Sequence, residues 1–288
     1  MKYRKSFRLK LPSRTLELGE RTLIMGVLNV TPDSFSDGGQ FFDAEKAVSR
    51  AFAMERAGAD VLDVGGESTR PGSKSISAEE EIGRVLPVIQ KLCGRLKIPI
   101  SIDTQESSVA LAAVEAGAEI LNDVSGLRAD PAIAEIARRR GLPIILMHMR
   151  GTPGTMQQGP FARDVMRDVT RGLLQAASRA RRCGIAKSQI ILDPGIGFGK
   201  SFEQNFELLA RLPELARLGY PILVGTSRKA FIGHALGGAP EDQRLWGTAA
   251  TVTASILGGA HIVRVHDVAE MTQIASIADS LLAARDGK

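Results

Sequence analysis

Ala57-Gly58-Ala59-Asp60-Val61-Leu62-Asp63-Val64-Gly65-Gly66 is the stretch whose reading decides the fold of this chain. A glycine able to take the left-handed conformation ends a helix near residue 57 and lets the chain turn back. The run 61–66 that follows is short, and its hydrophobicity is continuous rather than alternating. A strand of that kind is buried on both faces, which is the mark of parallel strands covered by helices. The opening phrase returns as Ala116-Gly117-Ala118-Glu119 and as Gly258-Gly259-Ala260-His261, each time just ahead of another such run.

Eight runs of this type occur, at residues 23–30, 61–66, 98–104, 120–125, 143–149, 189–194, 221–226 and 261–267. Between them lie longer stretches with apolar residues at helical spacing. Eight β/α units in 288 residues fit a single α/β domain, a (β/α)8 TIM barrel, better than an open doubly wound sheet. Helix ends carry their own punctuation. Ser77 followed by Glu80 predicts a capping box, Asp130 an N-cap with Pro131 at the first helical position, and the cations Arg138, Arg139 and Arg140 before Gly141 a helix C-terminus. Residues 7–11 and 16–18 alternate apolar and polar around Pro12 and Ser13, which predicts a hairpin closing the barrel floor. The segment 229–258 is broken by Gly237, Gly238 and Pro240 and is expected to hold two helices, the second starting near Asp242. The organisation read from the chain is an N-terminal extension over 1–22 and a barrel over 23–288, one domain overall.

Composition excludes several classes. The 37 Lys and Arg against 32 Asp and Glu leave a formal charge of +5, too small over this length to make nucleic acid the default partner. Hydrophobic residues at 44% and charged residues at 24% describe an ordinary globular protein, not collagen, long disorder or a coiled coil. No apolar run approaches the ~20 residues of a membrane span, and the start of the chain lacks the apolar stretch of a secretory signal. A cytoplasmic protein without membrane or nucleic-acid partners is expected. Cys93 and Cys183, each near the end of a helical pattern, fit reduced thiols better than a disulfide framework or a metal site.

In a barrel of this kind the chemistry sits at the carboxyl ends of the strands, and unusual polar residues collect there on at least six of them. They are Asn29 and the loop 31–39, the loop from Glu67 through Arg70, Asp103, Asn122 with Asp123, Asp193, Ser227 to Lys229, and Arg264 with His266. Taken alone, an Asp at a strand end caps the following helix, Arg70 is a solvated charge and His266 a satisfied structural histidine. Joint placement at one end of six strands, with no matching set at the other end, is what capping does not produce. Arg264 and His266, two apart on a strand, face the same way.

The residue types themselves suggest a ligand. Lys229, Arg264, His266 and Arg70 are cations or donors suited to an anion with several oxygens, and Asn29 is a neutral oxygen ligand fit for a Mg²⁺ shared with phosphate oxygens and waters. Asp103, Asn122 and Asp193 suit the donor edge of a flat amino-substituted heterocycle. The mouth thus predicts a nitrogen heterocycle carrying a phosphate ester. Two features are decoys. The run Asp193-Pro194-Gly195-Ile196-Gly197-Phe198-Gly199-Lys200-Ser201 imitates a phosphate-binding loop but has Pro194 where its first glycine belongs, and reads as a tight turn at the mouth. His148 has no His or Cys at metal-ligand spacing and is expected to support the site rather than act in it.

Five segments together resemble the dihydropteroate synthase family, the folate-pathway enzymes that sulfonamides inhibit. They are residues 25–39 (Met25-Gly26-Val27-Leu28-Asn29-Val30-Thr31-Pro32-Asp33-Ser34-Phe35-Ser36-Asp37-Gly38-Gly39), 63–72 (ending Glu67-Ser68-Thr69-Arg70-Pro71-Gly72), 192–200, Ser227-Arg228-Lys229 and Arg264-Val265-His266-Asp267. The resemblance implies a transferase that joins p-aminobenzoate to (7,8-dihydropterin-6-yl)methyl diphosphate and releases diphosphate, with Mg²⁺ as cofactor and a homodimer as assembly. It implies pterin binding by Asp103, Asn122, Asp193, Lys229 and Arg264. Diphosphate falls to Asn29, Thr69, Arg70, Arg264, Val265 and His266, with Asn29 as the metal ligand, and p-aminobenzoate to Phe35, Thr69, Pro71 and Ser227. Lys229, Arg264, His266 and Asp37 are the implied catalytic residues, Asp37 acting as the first loops close and exclude water. No insertion flanks Phe35, which argues against a sulfonamide-insensitive variant without deciding sensitivity.

Two rivals are weaker. A pterin-binding methyltransferase barrel has no use for diphosphate, against which Thr69 to Gly72 and Ser227 to Lys229 argue. A non-catalytic binder of phosphorylated ligands or RNA has only the pI near 9.4 and short Arg-rich stretches in its favour, and the aromatic content of 5% offers few stacking platforms.

Overall fold

Leu9, Leu11 and Leu18 are almost wholly buried although they precede the barrel, and their burial explains how the molecule is built. The computed structural model describes residues 4–31, 40–68, 72–73, 75–285 and 287. Strands β1 (Phe7–Lys10) and β2 (Thr15–Leu18) form an antiparallel hairpin in which Phe7 lies opposite Leu18 and Leu9 opposite Leu16. Among the described residues eight parallel strands follow: β3 (Leu23–Asn29), β4 (Val61–Gly65), β5 (Ile100–Asp103), β6 (Ile120–Asp123), β7 (Ile144–Met147), β8 (Ile190–Asp193), β9 (Leu223–Val224) and β10 (Ile262–Val265). Their order is β8-β7-β6-β5-β4-β3-β10-β9, and a parallel bridge between Leu192 and Ile222 joins the two ends into a barrel. All eight expected strands are present, most of them shorter than their apolar runs by one or two residues at each end.

Helices cover the outside: α1 (Gln40–Arg56), α2 (Ala78–Leu92), α3 (Ser107–Glu115), α4 (Ala132–Arg140), α5 (Val165–Arg182), α6 (Phe202–Ala210), α7 (Leu212–Ala216), α8 (Ala230–Ala235), α9 (Leu245–Leu257) and α10 (Val268–Arg285). The repeated phrase does what its glycine predicts, since Gly58, Gly117 and Gly259 all have positive φ. Ser77 accepts from the Glu80 N–H at 3.2 Å, whereas the reciprocal capping box belongs to Ser201 and Gln204 at the start of α6. Asp130 takes the N–H of Ala132 at 3.0 Å and that of Ser107 at 2.9 Å, so one carboxylate serves two helix starts. Helix α9 begins at Leu245 rather than near Asp242, because residues 241–243 form one 3₁₀ turn after Pro240 first. Cys93 and Cys183 are free and cap α2 and α5.

Side chains two apart on a strand share a face, so each strand divides its residues between barrel interior and helical shell. Met25, Val61, Ile120, Ile145, Ile191, Leu223 and Ile262 form an apolar floor layer, and Leu9, Leu11 and Leu18 pack into it from below. At about 1.5–3 kcal/mol per buried leucine, the hairpin contributes several kcal/mol and closes the lower end, as its pattern predicts. Polar ties fix it in place, with Ser13 bonded to Glu119 through both its N–H and its hydroxyl, and Gln189 donating to Lys10 O. Arg4, itself buried, pairs with Asp279 of α10 at 2.9 Å and donates to Ala260 O.

Candidate active site

On four of the strands, moving up by two residues from the floor replaces an apolar side chain with a polar one. Val61 is followed by Asp63, Ile120 by Asn122, Ile191 by Asp193, and Ile262 by Arg264 and then His266. Strand register sets Asn29 beside Gly65, Gly65 beside Asp103 and Asp103 beside Asn122. Gly65 matters here, because a Cβ built on it would stand 3.9 Å from both Asn29 Oδ1 and Asp103 Oδ2. Its missing side chain leaves those two oxygens facing one space.

Arg264 is the hub. Its Nε donates to Asp63 Oδ2 at 2.6 Å and its Nη2 to Asp103 Oδ2 at 2.7 Å, and Asn122 Nδ2 donates to the same Asp63 oxygen at 3.0 Å. Burial works against the Arg264 charge, yet Asp63 and Asp103 outweigh it and raise its pKa. Burial raises the Asp103 carboxyl, although Arg264 opposes it, and raises Asp193, although the Gly195 N–H at 2.7 Å and Lys229 oppose that. Lys229 is pulled down to about 7 by burial, against the pull of Asp193. Its Nζ donates to Ile196 O and stands 4.2 Å from the centroid of the Phe198 ring. Three acids thus face two bases in one buried layer, with carboxyl oxygens turned to a space that ligand N–H donors could enter.

Beside this layer Val124, Met147, Met149 and Met156 cluster with Phe198 into an apolar wall. On the other side Arg228 holds a left-handed backbone at φ 59°, rare for a side chain with a Cβ. It is held there by Asp267, bonded to Arg228 Nε at 3.0 Å, by Thr248 Oγ1 accepting from its N–H at 3.0 Å, and by Arg244 donating to its carbonyl at 2.8 Å. The turn sets Ser227 beside His266, whose N–H donates to Ser227 Oγ at 3.2 Å and whose Nδ1 lies 3.0 Å from it. Burial, with Arg264 and Arg228 nearby, pushes His266 down to about 3, so it is a neutral hydrogen-bonding group and not a cation.

The structure therefore brings together Asn29, Asp103, Asn122, Asp193, Ser227, Lys229, Arg264 and His266. Val265 differs from the expectation, since its side chain points the opposite way to Arg264 and is buried in the shell between barrel and helices. Only its main chain is available to a ligand. Phe35, Asp37, Thr69, Arg70 and Pro71 lie outside the described residues. Asp63 was missed by the sequence reading, though an acid two residues from Val61 in a continuously apolar strand is a legible sign of an inward buried charge. His148 supports the mouth from behind, with its N–H on Asp193 O at 2.9 Å. The Arg-rich helix ends are ion-paired surface, Arg138 and Arg139 with Glu135 and Arg140 with Glu115. Among the described residues no cluster of three His, Cys, Asp or Glu could hold a metal, and no helix is long and apolar enough to cross a membrane.

A family model described as pterin binding enzyme matches residues 25–266. The dihydropteroate synthase of Synechocystis sp. is 50% identical, over 91% of this chain and 91% of its own length. The dihydropteroate synthase of Yersinia pestis, solved with a sulfonamide drug, superposes with a TM-score of 0.89 at 42% identity, covering 96% of this chain and 99% of that one. That of Xanthomonas albilineans, solved with 4-aminobenzoic acid, gives a TM-score of 0.90 at 42% identity over 97% and 99%.

Proposed function

Because the chain belongs to the pterin-binding enzymes and, within them, to the dihydropteroate synthases, transferases that join (7,8-dihydropterin-6-yl)methyl diphosphate to p-aminobenzoate, we propose that the Arg264 layer is where its pterin binds. The observation that carries this reading is the pair of carboxylates on one guanidinium, Asp63 and Asp103 on Arg264, flanked by Asn122 and Asp193. Such a set offers acceptors and donors in one plane to a flat ring whose edge alternates both. Asp103, Asn122, Asp193, Lys229 and Arg264 bind the ring, and Met147 and Phe198 of the apolar wall lie against its face. Asn29, Thr69, Arg70, His266, Arg264 and the Val265 main chain take the diphosphate. Phe35, Thr69, Pro71 and Ser227 receive p-aminobenzoate and the sulfonamides that compete with it.

Asn29 supplies a single neutral oxygen, half-buried at the mouth, and no acidic cage surrounds it among the described residues. That donor set fits a Mg²⁺ that takes its other ligands from diphosphate oxygens and water. When bound, the ion would neutralise charge on the leaving group. The protein's own part is positioning and electrostatics. Arg264, aimed by two carboxylates, faces the charge that grows on the diphosphate. Ser227 Oγ accepts the His266 main-chain N–H; with its hydroxyl proton given to Nδ1, the ring would carry its own proton on Nε2, a neutral donor to a phosphate oxygen. The C–O bond breaks with its electron pair going to diphosphate, and the pterin methyl cation left behind is stabilised by its ring. Asp37 and the first two loops shield it from water until the arylamine lone pair forms the C–N bond, after which the anilinium proton passes to the released diphosphate or to water. Its amine is uncharged near neutral pH, so no strong base is needed.

The assembly proposed is a cytoplasmic homodimer. Phe202 and Phe206 of α6, Leu236 after α8 and Trp246 of α9, 76% exposed, leave one apolar face on the last helices, where a second copy would cover them. The deciding experiment follows diphosphate release and dihydropteroate formation together, with Mg²⁺, with and without p-aminobenzoate. Equal amounts of the two products support the reading, and pterin binding without product refutes it.

A further inference from the structure

The segment from Asp193 to Ser201 imitates a phosphate loop in sequence and inverts it in structure. In a phosphate loop the backbone N–H groups turn inward to an anion. Here carbonyls turn inward to a cation that the loop itself supplies. Lys200 Nζ donates to Gly195 O at 2.8 Å, to Phe198 O at 2.8 Å and to His148 O at 3.2 Å, and lies 3.1 Å from His148 Nδ1. Lys200 is 2% exposed, an ammonium taken almost wholly out of water. Burial pulls its pKa down to about 7, and the group is tolerated there because its donors meet four acceptors.

The turn wound around it is pressed against its neighbours. Gly195, Gly197 and Gly199 have positive φ, and Cβ atoms there would stand 1.9 Å from His148 O, 2.8 Å from Lys229 Cδ and 2.4 Å from Arg150 O. Between these glycines the loop presents Ile196 O and the Phe198 ring, the two groups on which the Lys229 ammonium rests. Gly195 also donates its N–H to Asp193. The cradle of one lysine is thus built by another.

We propose that Lys200 is a positioning residue for the pterin site, its ammonium gathering the carbonyls of His148, Gly195 and Phe198 so that the turn holds Lys229 and Asp193 where the ring needs them. The inference rests on the reading of Lys229 as a pterin residue. Lys200 itself touches no substrate.

Lys200→Met keeps the stem and removes the donors. It should raise KM for the pterin diphosphate about tenfold or more and leave KM for p-aminobenzoate within about twofold, since the carbonyls of His148, Gly195 and Phe198 lose the donor that gathers them on one side of the site only. In Lys200→Ala, n-propylammonium chloride should restore part of the lost pterin kcat/KM, whereas tetramethylammonium chloride, which has no N–H, should not. Pterin kinetics of Lys200→Met within about twofold of wild type, or equal losses for both substrates with no ammonium rescue, would overturn the proposal. Lys229→Ala assayed beside them separates the two failures. Wild-type pterin KM in that variant refutes the site reading, and a loss there without one in either Lys200 variant refutes this inference alone.

Discussion

Asp63→Asn removes one charge from the mouth and almost no volume. Asp63 is fully buried, and its Oδ2 accepts from Arg264 Nε at 2.6 Å and Asn122 Nδ2 at 3.0 Å, while Oδ1 has no partner among the described residues. Neutralising Asp63 leaves Arg264 its 2.7 Å bond to Asp103, so the buried guanidinium is not stripped of its last carboxylate. Stability should therefore change by less than about 1 kcal/mol, far below the roughly 3–5 kcal/mol lost when a buried charge is stripped of its only partner. Catalysis should suffer more. A hydrogen bond to a charged group is worth about 1.5–3 kcal/mol. With a neutral acceptor Arg264 is held firmly by Asp103 alone and can swing about it. A loss of about 2 kcal/mol expressed in the transition state corresponds to a fall of about 30-fold in kcat/KM for the pterin diphosphate. Steady-state diphosphate release and thermal unfolding on one preparation measure both numbers. Wild-type kcat/KM, or destabilisation beyond about 3 kcal/mol with kinetics unaltered, would show that Asp63 does not aim Arg264.

Glu81 of α2, 2% exposed, has its carboxyl pushed up to about 8 by burial, with only the Thr104 hydroxyl opposing. Its folded pKa lies above the unfolded 4.5, so the folded state binds the extra proton and stability falls as pH rises through that window. Glu81→Gln should gain about 1–3 kcal/mol at pH 8 and nothing below the unfolded pKa, and equal melting temperatures at pH 8 would contradict this. Lys229→Ala should cut kcat/KM by about 100-fold or more with the fold retained, checked by circular dichroism beside the assay. EDTA should stop turnover without moving the melting temperature, because Asn29 alone cannot hold a structural metal; a drop in melting temperature would point to a metal built into the fold. Trp246→Glu should shift the sedimentation coefficient from dimer to monomer, and an unchanged value would move the dimer face elsewhere.

The layout of the barrel was legible because its signals are local. A turn glycine before each strand, a continuous apolar run and a polar residue at the run's end are all read within ten positions, and they placed Asn29, Asp103, Asn122, Asp193 and Arg264 at one mouth. What escaped depends on partners far apart in the chain. Asp63 and Arg264 are 201 positions apart, and only strand register makes them neighbours. Lys200 read as the end of a failed phosphate motif, because spacing records glycines but not which way their carbonyls face. His266 read as a cation or donor from its residue type, whereas its environment keeps it neutral. Val265 entered with its neighbours although strand parity turns its side chain away, a distinction the sequence contains and the reading passed over.

The hairpin explains why so few groups suffice for the chemistry. Leu9, Leu11 and Leu18 seal the barrel against Met25, Val61, Ile120 and Ile262, and the next layer up carries Asp63, Asn122, Asp193 and Arg264. Asp63, Asn122 and Asp193 are buried there and Arg264 is half-buried. Taking these groups out of water penalises each charge, which is why burial leads the shifts of Asp103, Asp193 and Lys229, and it also strengthens the interaction between any charges that remain. The same burial makes each ligand N–H that meets a carboxylate there worth more than it would be on an open surface. On the proposed reading, a pterin lying across the layer would cover the side still facing water and strengthen the hold of Asp63 and Asp103 on Arg264 as the diphosphate begins to leave. The extension ahead of the first barrel strand would thus act on the reaction from the opposite end of the barrel, by keeping water from beneath the charges proposed to carry it.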